Sequence, residues 1–136
     1  MQVQPYLFFN GHCEEAAQYY GEKLGAQIDT LMRFTEMPEA EKEYIPQGFE
    51  NKVLHMSLRI GENTILASDG MGEKETRFEG FSLTLIVPTS ADAERLFNAL
   101  AADGKVEMPL SPTFFSANFG AVADKFGVSW MIYAEK

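Results

Sequence analysis

Val53-Leu54-His55-Met56-Ser57-Leu58-Arg59-Ile60 is the stretch on which the fold turns. Leu54, Met56, Leu58 and Ile60 alternate with Val53, His55, Ser57 and Arg59. That two-residue period sets one group against a core and presents the other on the opposite face of a strand. Gly61-Glu62-Asn63 turns the chain and Thr64 to Ser68 runs back, so the octet is the first arm of a hairpin. Upstream, Thr35 to Asn51 holds Pro38, Pro46, Gly48 and glutamates at 36, 39, 41, 43 and 50 without a sustained period. It reads as a long exposed loop with room for one helical turn, the kind of segment that is usually functional or mobile. Ala26 to Phe34 reads as a strand. From Cys13 to Leu24 the spacing becomes helical: Cys13, Ala16, Ala17, Tyr20 and Leu24 share one face, Glu14, Glu15 and Gln18 the other, and Gly25 is a stop. Val3 to Phe9 is a short aromatic strand closed by Asn10-Gly11, with Pro5 marking an edge or a bulge.

Downstream the order repeats. Asp69 to Glu79, charged and glycine-containing, reads as a linker. Phe81 to Val87 is a strand, and Thr89-x-x-Asp92 is a capping-box start for a helix. Ala93, Leu96, Phe97 and Leu100 form that helix's buried stripe and Gly104 ends it. Val106 to Leu110 is a short strand interrupted by Pro109 and Pro112. Phe114 to Ala123 and Val128 to Ala134 close the chain as a hairpin across Asp124-Lys125-Phe126-Gly127. Strand, helix, strand and hairpin thus occur twice, a repeat in the order of elements with weak residue identity. The expected architecture is a single α+β domain, residues 1–136, of two βαβββ modules at about 1–70 and 77–136.

At 136 residues and 46% hydrophobic content the chain is long enough for a sizeable core. Its one cysteine, Cys13, allows no intrachain disulfide and fits a reducing, cytoplasmic setting. Met1-Gln2-Val3-Gln4-Pro5 is not a basic leader followed by an apolar run, and no stretch approaches the ~20 apolar residues of a spanning helix. A net charge of −9 opposes binding to nucleic acid or anionic membrane. No nucleophilic triad, phosphate-binding glycine loop or zinc motif is present.

Three patches, in order along the whole chain, carry a family resemblance. Pro5-Tyr6-Leu7-Phe8-Phe9-Asn10-Gly11 with the following Glu-Glu-Ala-Ala-Gln-Tyr-Tyr and Leu-Gly-Ala resembles the opening of PhnB-like proteins. His55 to Gly61 with Ala67-Ser68-Asp69 is similar to their central hairpin, and Asp124-Lys125-Phe126-Gly127-Val128-Ser129-Trp130 to their C-terminal signature. The family lies in the vicinal-oxygen-chelate (glyoxalase, bleomycin-resistance and extradiol-dioxygenase) superfamily. The resemblance implies two βαβββ modules forming curved half-barrel sheets around a cavity, helices outside, and commonly a homodimer. Some relatives carry a methyltransferase label in the ubiquinone pathway, for which no glycine-rich strand-to-helix turn is present here.

In metal-using members four inward ligands come from the first and the hairpin strands of each module. The resemblance places Gln4, His55, Ser82 and Met131 there. Strand parity agrees: His55 goes with Ser57 and Arg59, Ser82 with Thr84, and Met131 with Ser129 and Tyr133. Only His55 is a strong ligand for a divalent ion; Ser82 is poor and Met131 soft, so no metal or other cofactor is expected. The expected ligand-facing set is Gln4, Tyr6, His55, Ser57, Arg59, Ser82, Thr84 and Met131. These residues would converge on one cavity suited to a small organic molecule, neutral or singly anionic.

Each has a plainer reading. His55 could be a pocket-lining imidazole or a general base, and Arg59 an anion contact or the partner of a nearby glutamate. Asp69 could cap a turn, His12 is a solvent-facing helix-start residue, and Cys13 is a buried inert thiol. Tyr6, Phe8, Phe114, Phe115 and Phe119 read as core or pocket wall. Three functions follow: a metal-independent binding protein, a glyoxalase-type lyase or isomerase using His55 and a metal, and, last, a dimeric ferredoxin-like α+β barrel.

Overall fold

The computed structural model describes residues 1–72 and 75–136. Residues 73 and 74, inside the expected linker, lie outside the described residues. Two compact units appear, Met1–Thr76 and Arg77–Lys136.

Unit 1 runs β1 (Tyr6–Phe8), α1 (Cys13–Leu24), β2 (Gln27–Arg33), β3 (Val53–Ile60) and β4 (Asn63–Ser68). Unit 2 runs β5 (Leu83–Val87), α2 (Ser90–Ala101), β6 (Lys105–Ser111), β7 (Asn118–Ala123) and β8 (Ser129–Ala134). The sheet orders are β1-β4-β3-β2 and β5-β8-β7-β6. In each, the first strand runs parallel to the last and the other pairings are antiparallel. Both sheets are open, mixed and four-stranded, so the βαβββ module occurs twice.

The helices form where the spacing predicts. In α1, Cys13, Ala16, Ala17 and Tyr20 are buried, and Gly25 ends the helix at φ 70°, a conformation that disfavours any side chain. In α2, Ala93, Leu96, Phe97 and Leu100 are buried, and Thr89 Oγ1 accepts the Asp92 backbone N–H at 3.1 Å. That helix stops at Ala102, two residues before Gly104. Gly104 serves a close approach instead, since a Cβ there would lie 2.1 Å from the Ala123 carbonyl oxygen.

α1 lies against β3 and β2, and α2 against all four strands of its sheet. Met56 and Leu58 are buried as their parity requires. Each such side chain contributes about 1.5–3 kcal/mol through the apolar area it removes from water. Leu54 departs from the expectation: it is half-buried while Val53 is fully buried. Met32 pairs with His55 and Arg33 with Val53, so Leu54 is a bulge residue that breaks the alternation by one.

Several strands are shorter than expected. Val3 to Pro5 precede β1, and Phe81 and Ser82 precede β5. Phe114 to Ala117 are not strand, and Phe114, 89% exposed, is neither core nor buried wall. Phe34 leaves β2 to begin a 3₁₀ turn, Phe34–Glu36, followed by another at Glu39–Tyr44. These are the only helical turns among the described residues of the 35–51 loop, which is otherwise irregular. Pro109 sits on edge strand β6, beside a register irregularity, where its missing N–H is tolerated.

Candidate functional site

In each unit the helix covers one face of the sheet and leaves the other open. On the open face of unit 1, β1 and β3 bring Tyr6 and His55 together, with the Tyr6 hydroxyl hydrogen-bonded to His55 Nδ1 at 3.0 Å and the rings 5.7 Å apart. That bond occupies Nδ1 and leaves Nε2 without a partner among the described residues. Next on β3, Ser57 is hydrogen-bonded to Thr30 across the β2–β3 pair. Arg59 pairs with an aspartate, not the glutamate expected: Asp29 Oδ2 lies 3.3 Å from Nε, and Arg59 also donates to Gln27 Oε1 at 2.7 Å. The acid is an aspartate because Asp29 is the extra residue of a bulge between Ile28 and Thr30, swung toward β3. Gln4 is exposed, two residues before β1.

In unit 2, Ser82 and Met131 line one cleft of about 540 Å³, together with Ser129 and Glu107. Ser82 Oγ donates to Ser129 Oγ at 2.8 Å, and Ser129 Oγ donates to Glu107 Oε1 at 2.7 Å. Thr84 stands beside Met131 across the β5–β8 pair. Glu107 was invisible to sequence reasoning because it falls in a strand broken by prolines. The only hint was a charged residue between Val106 and Met108.

The motifs that mark the chain have structural roles. Asp69, 1% exposed, accepts three backbone N–H groups: Gly11 at 2.7 Å and Cys13 at 2.8 Å on Oδ1, and Val53 at 2.8 Å on Oδ2. It ties the start of α1 to the start of β3. Asp124, also buried, accepts from the Phe126 and Val128 N–H groups and from Trp130 Nε1 at 2.8 Å, which fixes the β7–β8 turn.

Another cleft, in unit 1, about 510 Å³ at the start of α1, is crossed by bonds between its own lining residues. Arg33 donates to both oxygens of Glu14 and to the Asn51 carbonyl, and Lys52 Nζ donates to the Gly11 carbonyl. The Arg33 hydrogen bond holds the Glu14 carboxyl below its ordinary value. Cys13 is buried as expected, and that burial, with the charges of Asp69 and Glu14 adding to it, pushes its thiol far up and disfavours the thiolate. His12 is exposed at the helix start and pairs with Glu15 at 3.1 Å.

Among the described residues no three His, Cys, Asp or Glu side chains group as metal ligands. The donor chemistry points the same way. Gln4 is a neutral amide, Ser82 a neutral hydroxyl and a poor ligand, and Met131 a soft thioether, residue types that do not fit a hard or borderline divalent ion.

The family model described as 3-demethylubiquinone-9 3-methyltransferase matches residues 1–133. Protein YjdN of Escherichia coli (strain K12) is 38% identical, over 100% of this chain and 97% of its own length. The structure of PA1353 from Pseudomonas aeruginosa is 41% identical with a TM-score of 0.86, covering 99% of this chain and 98% of that one. A Bacillus cereus PhnB protein, described as a putative 3-demethylubiquinone-9 3-methyltransferase, is 27% identical with a TM-score of 0.80, covering 98% and 99%. The fold alone is shared with a glyoxalase-related enzyme from Fulvimarina pelagi, 20% identical with a TM-score of 0.64 over 99% of this chain and 88% of that one. No helix among the described residues is long and apolar enough to cross a membrane. The chain belongs to the PhnB-like, 3-demethylubiquinone-9 3-methyltransferase family.

Proposed function

We propose that this chain is a small-molecule-binding protein that engages small organic ligands through the helix-free sheet face of each unit, by its own side chains and without a bound metal. Gln4, Tyr6, His55, Ser57 and Arg59 are the contacts in unit 1, and Ser82, Thr84 and Met131 those in unit 2. The observation that carries this reading is the Tyr6–His55 pair. With Nδ1 held by a neighbouring hydroxyl, the imidazole is oriented and Nε2 is left to donate or accept according to tautomer. A neutral organic molecule satisfies that nitrogen directly. A singly anionic one also finds Arg59, whose pairing with Asp29 is solvent-exposed and therefore weak enough to exchange.

Methyl transfer, the chemistry in the family's descriptive name, does not fit the turn where a nucleotide-like cofactor would sit. Gly11 and Cys13 at the start of α1 direct their N–H groups to the Asp69 carboxylate, so these two donors are already taken and a carboxylate stands where an anionic cofactor group would lie. A glyoxalase-type lyase or isomerase reaction needs an ion at His55, and the donor set above disfavours it. We further infer that the protein works as a homodimer in the cytoplasm.

The test is an NMR titration of labelled protein with benzamide and with benzoate, a neutral and a singly anionic probe. Saturable shifts are expected at Tyr6, His55 and Ser57. His55→Ala is expected to weaken binding about fivefold or more, the loss of one hydrogen bond, without changing the fold. Unchanged affinity in that variant, or shifts confined elsewhere, would contradict the reading.

A further inference from the structure

The cleft of unit 2 has a hydrogen-bond polarity that selects its occupant. Glu107, as a carboxylate, only accepts. Ser129 must therefore give it its proton, and Ser82 in turn gives its proton to Ser129. Every hydroxyl proton in the chain is used. Of these side chains, the second oxygen of Glu107, the lone pairs of Ser82 and the thioether of Met131 remain, all acceptors. Phe78 and Phe81 complete the lining with aromatic surface.

The same module position in unit 1 shows what is missing. Both second strands of the modules carry a bulge with an acid as the extra residue. Asp29 falls between Ile28 and Thr30, and Glu107 falls between Val106, opposite Val122, and Met108, opposite Ala121. Asp29 is neutralised by Arg59 from the hairpin. Glu107 reaches past Ala121 and Ala123 of β7 to Ser129, and among the described residues no cation pairs with it. The neighbouring Glu79 has Arg77. A carboxylate with no cation beside it among the described residues, acceptor side chains and aromatic faces make up a receptor for positive charge on an apolar body.

We propose that this cleft binds an organic cation, a primary ammonium or guanidinium group carried on a short aromatic or aliphatic body, with Glu107 as the charge partner. The site rests on reading Ser82 and Met131 as ligand-facing, and owes nothing to His55. Titration with benzylammonium chloride, followed by NMR at the Met131 methyl and the Ser82 and Ser129 amides, tests it. Saturable shifts at these groups are expected at lower concentrations of benzylammonium than of benzoate. Glu107→Gln is expected to weaken binding about tenfold or more, as for loss of a charge-assisted hydrogen bond. Glu94→Gln, at an exposed glutamate of α2, is expected to leave it unchanged. Equal or stronger binding of benzoate here, full affinity in Glu107→Gln, or unsaturable shifts spread over the acidic surface would each overturn the proposal. Saturable benzamide shifts at His55 with no benzylammonium shifts at Met131 would overturn it too, while leaving the His55 reading in place.

Discussion

Asp69 and Asp124 show how much a single buried carboxylate can organise. Each accepts three N–H groups, and each stands in one of the patches by which the chain resembles its family. The sequence marks Asp69 only as a strand-end residue that could cap a turn. Its partners at 11, 13 and 53 lie too far along the chain for any local pattern to reveal. His55 was legible because parity alone puts it on the uncovered face, but its bond to Tyr6 depends on β1 pairing with β4 rather than with β2. Asp69→Asn tests the residue-scale account. The amide oxygen can keep the Gly11 and Cys13 bonds, but its NH₂ then faces the Val53 N–H, donor against donor. A loss of about 2 kcal/mol or more in urea unfolding is expected, the cost of a buried unsatisfied group. A change below about 0.5 kcal/mol, ordinary for a surface substitution, would mean that Asp69 is a bystander.

Among the elements, the helices were the most legible. α1 spans Cys13–Leu24 as the spacing requires, because a helical stripe, an acidic first turn and a glycine stop all agree. The bulges were not legible. An extra residue at Leu54, Asp29 or Glu107 is defined by what stands opposite on the partner strand, and no periodicity within one strand records it. This is why the alternation through Val53–Ile60 holds from His55 onward and fails at Leu54. It is also why Glu107 escaped notice. Leu58, 2% exposed on the covered face of β3, measures the assignment of faces. Leu58→Ala is expected to cost about 2–5 kcal/mol in chemical unfolding, the range for a buried leucine. A cost near zero would put this strand's core face on the wrong side.

Over the whole molecule, the repeat was legible as an order of elements and is matched by two sheets of identical topology, although few residues are shared between the halves. Assembly belongs to this scale as well. The short edge strand β1 and exposed apolar side chains such as Phe8 (51%), Ile86 (64%) and Phe114 (89%) favour cover by a second copy. Sedimentation at micromolar concentration is expected to give a homodimer, and a single 15.2 kDa species would remove that inference.

The central claim is that the faces around His55 and Met131 meet their ligand directly and not through an ion. Elemental analysis of the protein purified without added metal and without chelator tests this most directly. The expected result is zinc, iron and nickel each well below one per chain. One tightly held zinc, iron or nickel ion per chain, with His55 in its coordination sphere, would contradict the account and restore the metal-dependent lyase or isomerase.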